Sequence, residues 1–367
     1  MPLFLFGANA VRIQAELGFG TTELGYATSA FFAAGALGAP KLGRFIDRVG
    51  IRRALRIGMT LSGSAAFVVA FIARSWWIGA AGLALCGVSH ALTQLSMNRM
   101  LVDGGSTADG ALGFGMKQGA VPVVSLIAGL ATAALVPSLP WQTLYFVAGS
   151  VSIALAISLP GAHEASSETK VGSASAGPYL RRLALGGSFA AGAGNALSLL
   201  IVDSFDASGF SDTTGAVVLG MGSGLAAVSR LGGGWVVDHR RSSGVPELRA
   251  LLLVGSLGFG LLAISSGSLG LLSIGALAAF VGGWGWQGIV FYSATRDRRV
   301  LPATASGVVL AGTMSGSIIG PIVIGVTADR ASYAVAWALA ALALIVSAIA
   351  MPRSGPTAPS GAELRTM

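Results

Sequence analysis

Lys117 is the one lysine inside a long apolar run of this 367-residue chain, and Gln118 lies beside it. Other polar side chains have similar surroundings. His90, Gln94 and Asn98 recur at steps of four, which places them in one stripe along a helix. Trp284 and Gln287 are three apart and share a face, Asn195 falls in the middle of another run, and Asn9 lies in the first. Polar groups held away from water are costly and mark binding sites or ion pathways. The chemistry on offer is recognition rather than bond cleavage. An ammonium attracts an anion, amides read polar groups, and an imidazole titrating near about pH 6.5 can carry a proton. A plainer reading stands beside this one. His90 and Gln94 can act as hydrogen-bonding glue between helices, and Asn195 as packing. Lys117, roughly 9 Å inside its helix, can snorkel to the surface.

No catalytic or metal-ligating set accompanies these residues. The three histidines, His90, His163 and His239, are scattered, and Cys86 is the only cysteine, so it forms no intrachain disulfide. No P-loop occurs, which counts against an ATP-driven pump, and no cofactor is implied. No Asp or Glu falls in mid-run; Glu23, Asp203 and Asp329 all lie near run ends.

The elements that must position these side chains are membrane spans. Mean hydropathy is +0.75, 53% of residues are hydrophobic and only 10% are charged. An apolar segment of roughly 20 residues crosses a bilayer, and such segments follow one another almost without pause. The first ends near Glu16; the others cover 23–41, 54–73, 77–98, 111–137, 141–160, 180–202, 213–235, 249–267, 270–293, 303–327 and 332–351. The chain thus reads as an all-α integral membrane protein of about twelve spans in two halves, 1–160 and 180–351. A polar linker, 161–179, joins them, and the tail, 352–367, has a disordered composition. The first span is short. Only Met1 to Val11 is free of charge, about 16 Å of helix against a hydrocarbon core of about 30 Å. The expectation is a truncated span, or an apolar stretch of about ten residues upstream. The 54 glycines suit close helix packing in lipid, and Gly316, Gly320, Pro321 and Gly325 form a packing and bending element in span 11.

The net charge is +8. The basic residues lie between apolar runs, so orientation in a membrane explains them better than nucleic acid does. Nineteen of the 23 Lys and Arg residues, Arg230 among them, fall to the loops after the even-numbered spans and to the tail; Arg12, Arg74 and Arg330 fall to the other side. This places both termini in the cytoplasm, with Trp76, Trp77 and Trp141 in an outer aromatic belt.

Six basic side chains crowd between Lys41 and Arg56 around one carboxylate. The pattern there is Gly43, Asp47, Arg48, Gly50, Arg52 and Arg53; a degenerate copy after span 8 has Gly234, Asp238, Arg240 and Arg241. Gly50 suits a turn that needs an unusual backbone angle, and the arginines alone would serve as a cytoplasmic anchor. The pattern resembles the loop motif between helices 2 and 3 of the major facilitator superfamily, and the repeat and the span count agree. That resemblance implies two parallel six-helix repeats related by an axis along the membrane normal. It implies that Asp47 clamps the halves on the cytoplasmic side by facing the start of helix 11 at Pro302, and that Asp238 faces the start of helix 5. It also implies a central cavity lined by helices 1, 4, 7 and 10, which makes Asn9, His90, Gln94, Asn195, Trp284 and Gln287 candidate substrate-binding residues. Met116–Pro122 resembles a Lys-Gln-x-Gly-x-Pro-like segment of bacterial members, with its glycine one residue early, and adds Lys117 and Gln118.

The implied function is secondary active transport of a small polar or anionic metabolite by alternating access, with proton-coupled uptake. The alternatives are a drug or metabolite efflux antiporter and a transporter-like receptor. The Gly-Pro motif of drug antiporters is missing from span 5, which counts against efflux. The implied partners are the substrate, membrane lipids and protons; the implied setting is the plasma membrane, as a monomer. With the charge asymmetry as stated, single cysteines in the 161–178 linker and in the tail, on a Cys86-free background, are expected to react with impermeant reagents only after permeabilisation; labelling of both in intact cells overturns the orientation.

Overall fold

The structure, a computed structural model, describes residues 1–103, 110–136, 138–159, 177–265, 267–296 and 302–355. The side chains of 39, 40, 44, 47, 98–103 and 302–304 lie outside the described set. The helices are α1 (Pro2–Ala8), α2 (Ala10–Leu17), α3 (Thr21–Val49), α4 (Ile51–Phe71), α5 (Trp76–Asp103), α6 (Ala111–Leu135), α7 (Gln142–Ser158), α8 (Pro178–Ala207), α9 (Asp212–His239), α10 (Val245–Ala263), α11 (Leu269–Ala279), a π-helix (Phe280–Trp284), α12 (Gln287–Thr295), α13 (Pro302–Arg330) and α14 (Tyr333–Ala350). Among the described residues, nine helices are long and apolar enough to cross a membrane; α11, the π-helix and α12 together form one of the nine, and α7 is a shorter apolar helix. No water reaches the backbone of such segments, so helices are the element that satisfies every peptide group within itself.

Several boundaries differ from the sequence reading, each for a local reason. The first span is two helices, because Asn9 leaves the helical region at φ −107, ψ 19. The second span runs on to Val49, so Gly43, Asp47 and Arg48 lie on a helix and not in a loop. Gly50 alone makes the turn, at φ +84, where a side chain would be strained. α9 likewise extends past Asp238, since four unpaired carbonyls at a helix end tolerate polar residues. Span 10 is interrupted by the π-helix and by a break at Gly285–Trp286. Trp141 does not join an aromatic belt: it is buried, and its Nε1 donates to Glu16 Oε2 at 2.6 Å. Trp77 is exposed.

The first half of the chain, α1–α7, meets the second, α8–α14, along several helix pairs, and glycines close the approach at α1–α8, α3–α13 and α6–α9. A Cβ on Gly7 of α1 would stand 2.8 Å from the Cα of Leu199 on α8. One on Gly25 of α3 would stand 2.5 Å from the Pro321 oxygen of α13. Gly115 of α6 would meet the Arg230 oxygen of α9 at 2.4 Å, and Gly129 would meet the nitrogen of Gly220 at 2.6 Å. Small residues allow this approach, and dispersion between the backbones holds it. The tightest seam lies within the second half, where Gly312, Gly316 and Gly320 of α13 press on α8; a Cβ on Gly316 would fall 1.8 Å from the Ser188 oxygen. Gly307 on the same helix faces open space. Gly316→Ala is therefore expected to lower the stability of the detergent-purified protein by about 1–3 kcal/mol. Gly307→Ala, which improves helix propensity by up to about 1 kcal/mol, is expected not to; thermal unfolding of the two variants side by side checks this.

Candidate functional site

α9 carries Asp212 at one end and Asp238 near the other, and these residues mark two opposite ends of the molecule, the Asp212 end and the Asp238 end. Nearer the Asp238 end, the structure buries a charge that the sequence reading assigned to a loop. Arg230 has no exposed surface. Its Nη1 donates to the Gln118 oxygen on α6. Its Nε and Nη2 donate to the Trp284 oxygen at 3.1 and 2.8 Å, and its guanidinium lies 5.2 Å from the centre of the Trp284 ring. A fully buried cation is tolerated only when dipoles or charges satisfy it, and here two helix defects supply the dipoles. Pro122 lies inside α6; having no N–H, it frees the carbonyl four residues earlier, which is that of Gln118. The break after the π-helix exposes the carbonyl of Trp284. One arginine thus takes both, and it links the two halves in doing so. Gly288 permits the convergence, since a Cβ there would stand 2.9 Å from the Cα of Gly115.

The Trp284 ring extends this node. Its Nε1 donates to Asn195 Oδ1 at 3.4 Å, and the Asn195 amide donates to Ser317 Oγ at 2.7 Å. Phe4 of α1 meets the indole edge-on, with centroids 5.7 Å apart. Among the sequence candidates, the structure therefore brings together Asn195, Trp284 and the backbone of Gln118, around a residue that was not a candidate. Arg230 is more fully buried than either Lys117 or His90. A hint was present, because Arg230 falls inside the expected 213–235 span.

The other candidates lie apart from this node. Asn9 is buried at the α1–α2 break; its amide donates to the Leu5 oxygen and to Thr132 Oγ1 at 2.8 and 3.0 Å. Its Oδ1 finds no donor among the described residues. His90 packs against Phe31 with ring centroids 5.4 Å apart. His90, Gln94, Lys117 and Gln287 are half-buried, and none bonds another of the four among the described residues. The side chain of Asn98 lies outside the described residues, as does that of Asp47. No group of three or more potential metal ligands occurs among the described residues.

At the Asp238 end, the carboxylate of Asp238 reaches across the halves to the start of α6. It accepts from the backbone N–H groups of Ala111 and Leu112, both at 2.8 Å. A Cβ on Gly110 would intrude on it at 2.8 Å. At the Asp212 end, Arg12 of α2 pairs with Asp212 at 2.6 Å and donates to the Val136 oxygen at the close of α6. Asp329 of α13 accepts from the N–H groups of Thr21 and Thr22 at 3.2 and 2.6 Å. Each end is thus tied by an anion set against a bare helix N-terminus of the other half. A recess of about 480 Å³ opens beside Arg12, Glu16, Trp141 and Gln142, but its polar groups are engaged: Arg12 as above, and Glu16 by Trp141 and Gln142.

No curated protein sequence matches the chain. Solved structures do. The human organic anion transporter MFSD10 (TETRAN) superposes with a TM-score of 0.69 at 15% identity, over 96% of each chain. A bacterial homologue of the human lysosomal transporter Spinster, in an inward-facing and occupied conformation, gives 0.63 at 14% identity, over 95% of this chain and 90% of the other. The E. coli fucose:proton symporter FucP gives 0.60 at 16% identity, over 95% and 96%. At such identities the likeness is one of fold. The sequence profile of the Major Facilitator Superfamily matches residues 1–299. With two helical halves joined through glycine seams, the chain belongs to the Major Facilitator Superfamily of membrane transporters.

Proposed function

We propose that the chain is a secondary transporter that takes up a small polar or anionic metabolite together with protons, by alternating access. The observation that carries this reading is the fully buried Arg230, held by carbonyl dipoles at the junction of the halves. Net positive charge in a low-dielectric centre favours an anion there and penalises a cation. Asn9 Oδ1, buried and without a donor among the described residues, would accept from a hydroxyl or N–H of the cargo. The half-buried Lys117, beside Gln118, adds charge of the same sign. His90 is the candidate proton carrier on α5, with Gln94, Asn195, Trp284 and Gln287 as polar contacts. Support for an anion also comes from MFSD10, described as an organic anion transporter, and support for proton coupling from FucP. We place both termini in the cytoplasm of a plasma-membrane monomer, reading the charge asymmetry. The Asp238 end then faces inward and the Asp212 end outward.

Gating is assigned to the motif residues Gly43, Asp47, Arg48, Gly50, Arg52 and Arg53 and to Gly234, Asp238 and Arg240. Gly234 brings α9 against α6, where its Cβ would meet the Ala111 oxygen at 2.6 Å, and so delivers Asp238 to the helix start.

Flux into proteoliposomes under a pH gradient tests the cargo class. Monocarboxylates or neutral polyols are expected to enter, and preferred uptake of a tetraalkylammonium ion sinks the proposal. Lys117→Ala is expected to abolish uptake and Lys117→Arg to retain part of it, whereas normal uptake by Lys117→Ala reduces Lys117 to a snorkelling residue. Asp238→Asn removes a carboxylate–helix pairing of about 0.3–2 kcal/mol. The closed population at that end is expected to fall by about two- to thirtyfold, with turnover affected more than substrate affinity. Spin labels at Ser158 and Arg182 report it; unchanged distances would leave Asp238 as a helix cap only.

A further inference from the structure

Asp203 lies near the end of α8, at the Asp212 end, and no part of the transport reading above uses it. Its carboxylate is the meeting point of four helices. Thr21 of α3 donates its hydroxyl to Oδ2 at 2.7 Å. Tyr333 of α14 donates its phenol to the same oxygen. Gln14 of α2, its amide turned so that the nitrogen faces the carboxylate, donates to Oδ1 at 2.7 Å. Two of these three donors, Gln14 and Thr21, belong to the first half of the chain, while Asp203 itself belongs to the second. The carboxylate is therefore a tie between the halves, and it accepts from both of its oxygens.

We propose that Asp203 is the site where a proton releases the Asp212 end: ionised, it holds α2 and α3 against α8, and protonated, it lets them go. This deepens the proton-coupled reading by naming a residue, and it rests on that reading only for its role in transport.

The sign follows from the donors. All three neighbours present hydrogens, which suits an acceptor-only carboxylate. A proton on Asp203 removes its charge; the Thr21 and Tyr333 hydroxyls and the Gln14 amide can turn to accept the new donor, so the ties persist only as neutral bonds. Charge-assisted bonds are the stronger ones, and neutral Asp203 keeps only the weaker kind. Asp206, on α8 itself, and Asp329, on α13, are the carboxylates that interact with Asp203. The nearby cation on α2, Arg12, is engaged with Asp212 of α9 and with the Val136 oxygen. Glu23 of α3 is turned back on its own helix start, accepting from the Gly20 N–H. Tyr333, from α14, is the remaining titratable group in contact. Thr21 joins the device to its neighbour, because its backbone N–H is held by Asp329 while its hydroxyl is held by Asp203. Loosening one tie loosens the start of α3 as a whole.

The test needs no substrate. On a Cys86→Ala background, spin labels at Ser138 and Ala331, both exposed at this end, span the two halves. In reconstituted protein, lowering the pH from about 8 to about 5 is expected to raise the ratio of long to short distances by about tenfold, the scale of one charge-assisted bond. Asp203→Asn is expected to sit at the long-distance ratio at both pH values, and Asp206→Asn to keep the response. A pH response that survives in Asp203→Asn, or none in the parent protein, overturns the proposal. Should Asp203→Asn fail to fold, Thr21→Val and Gln14→Leu serve instead. Each removes a donor from the first half, so each is expected to raise the long-distance ratio at pH near 8 and to shrink the response; an unchanged response in both overturns the proposal. Proton-independent flux in proteoliposomes would remove proton-coupled transport yet leave the pH-dependent opening, so the two failures are distinguishable.

Discussion

A helix that breaks inside a membrane leaves a carbonyl with no water to receive it. That constraint organises the centre of this molecule. Pro122 frees one such carbonyl within the continuous α6, and the turn at Gly285–Trp286 frees another between the π-helix and α12. Each freed oxygen is costly if it stays unpaired. Arg230 serves both from α9, which fixes three helices from two halves to one point. The surrounding sequence is shaped by that requirement. Gly115 and Gly288 bring the backbones within reach, and Trp284 covers the guanidinium with its ring. The defects also explain why a charge survives burial here with dipoles rather than a carboxylate as partners.

The two ends of the molecule solve a related problem with different parts. A helix N-terminus carries several unpaired N–H groups and a partial positive charge. At the Asp238 end, one carboxylate answers the start of α6. At the Asp212 end, Asp329 answers the start of α3, and the Arg12–Asp212 pair and Asp203 stand beside it. In each case the anion and the helix start come from opposite halves. Opening an end therefore exposes one charge and one set of N–H groups to water together, and both are well hydrated once exposed. Such contacts hold firmly when closed and cost little to part in water, as the proposed alternating access would require.

Much of this was legible in the residues. Apolar runs gave the helices, because their length is set by the bilayer. Gly50 declared its turn, since only a glycine takes φ +84 without strain. Pro302 marked the start of α13, and the Gly316–Gly320–Pro321 stretch announced close packing. The position of Asp238 against α6 followed from the repeat of the motif. Arg230 was not legible as a central residue, because a long cationic side chain near a span end usually reaches for the surface. What holds it inward is a carbonyl freed by a proline 108 positions earlier in the chain, and no local window contains both. The same holds for Trp141: an aromatic at a span end reads as an interface residue until Glu16, from a different helix, takes its N–H. Helix ends were read too short wherever charged residues begin, because hydropathy falls there while the hydrogen-bond ladder continues, as it does through Asp238.

Gly50 is the whole connection between α3 and α4. A joint one residue long has almost no slack. Two dihedrals carry all of its freedom, so the helices on either side, 29 and 21 residues long, behave as the arms of a crank. A longer linker would let the two helices move independently; this one limits their relative motion to rotation about two bonds.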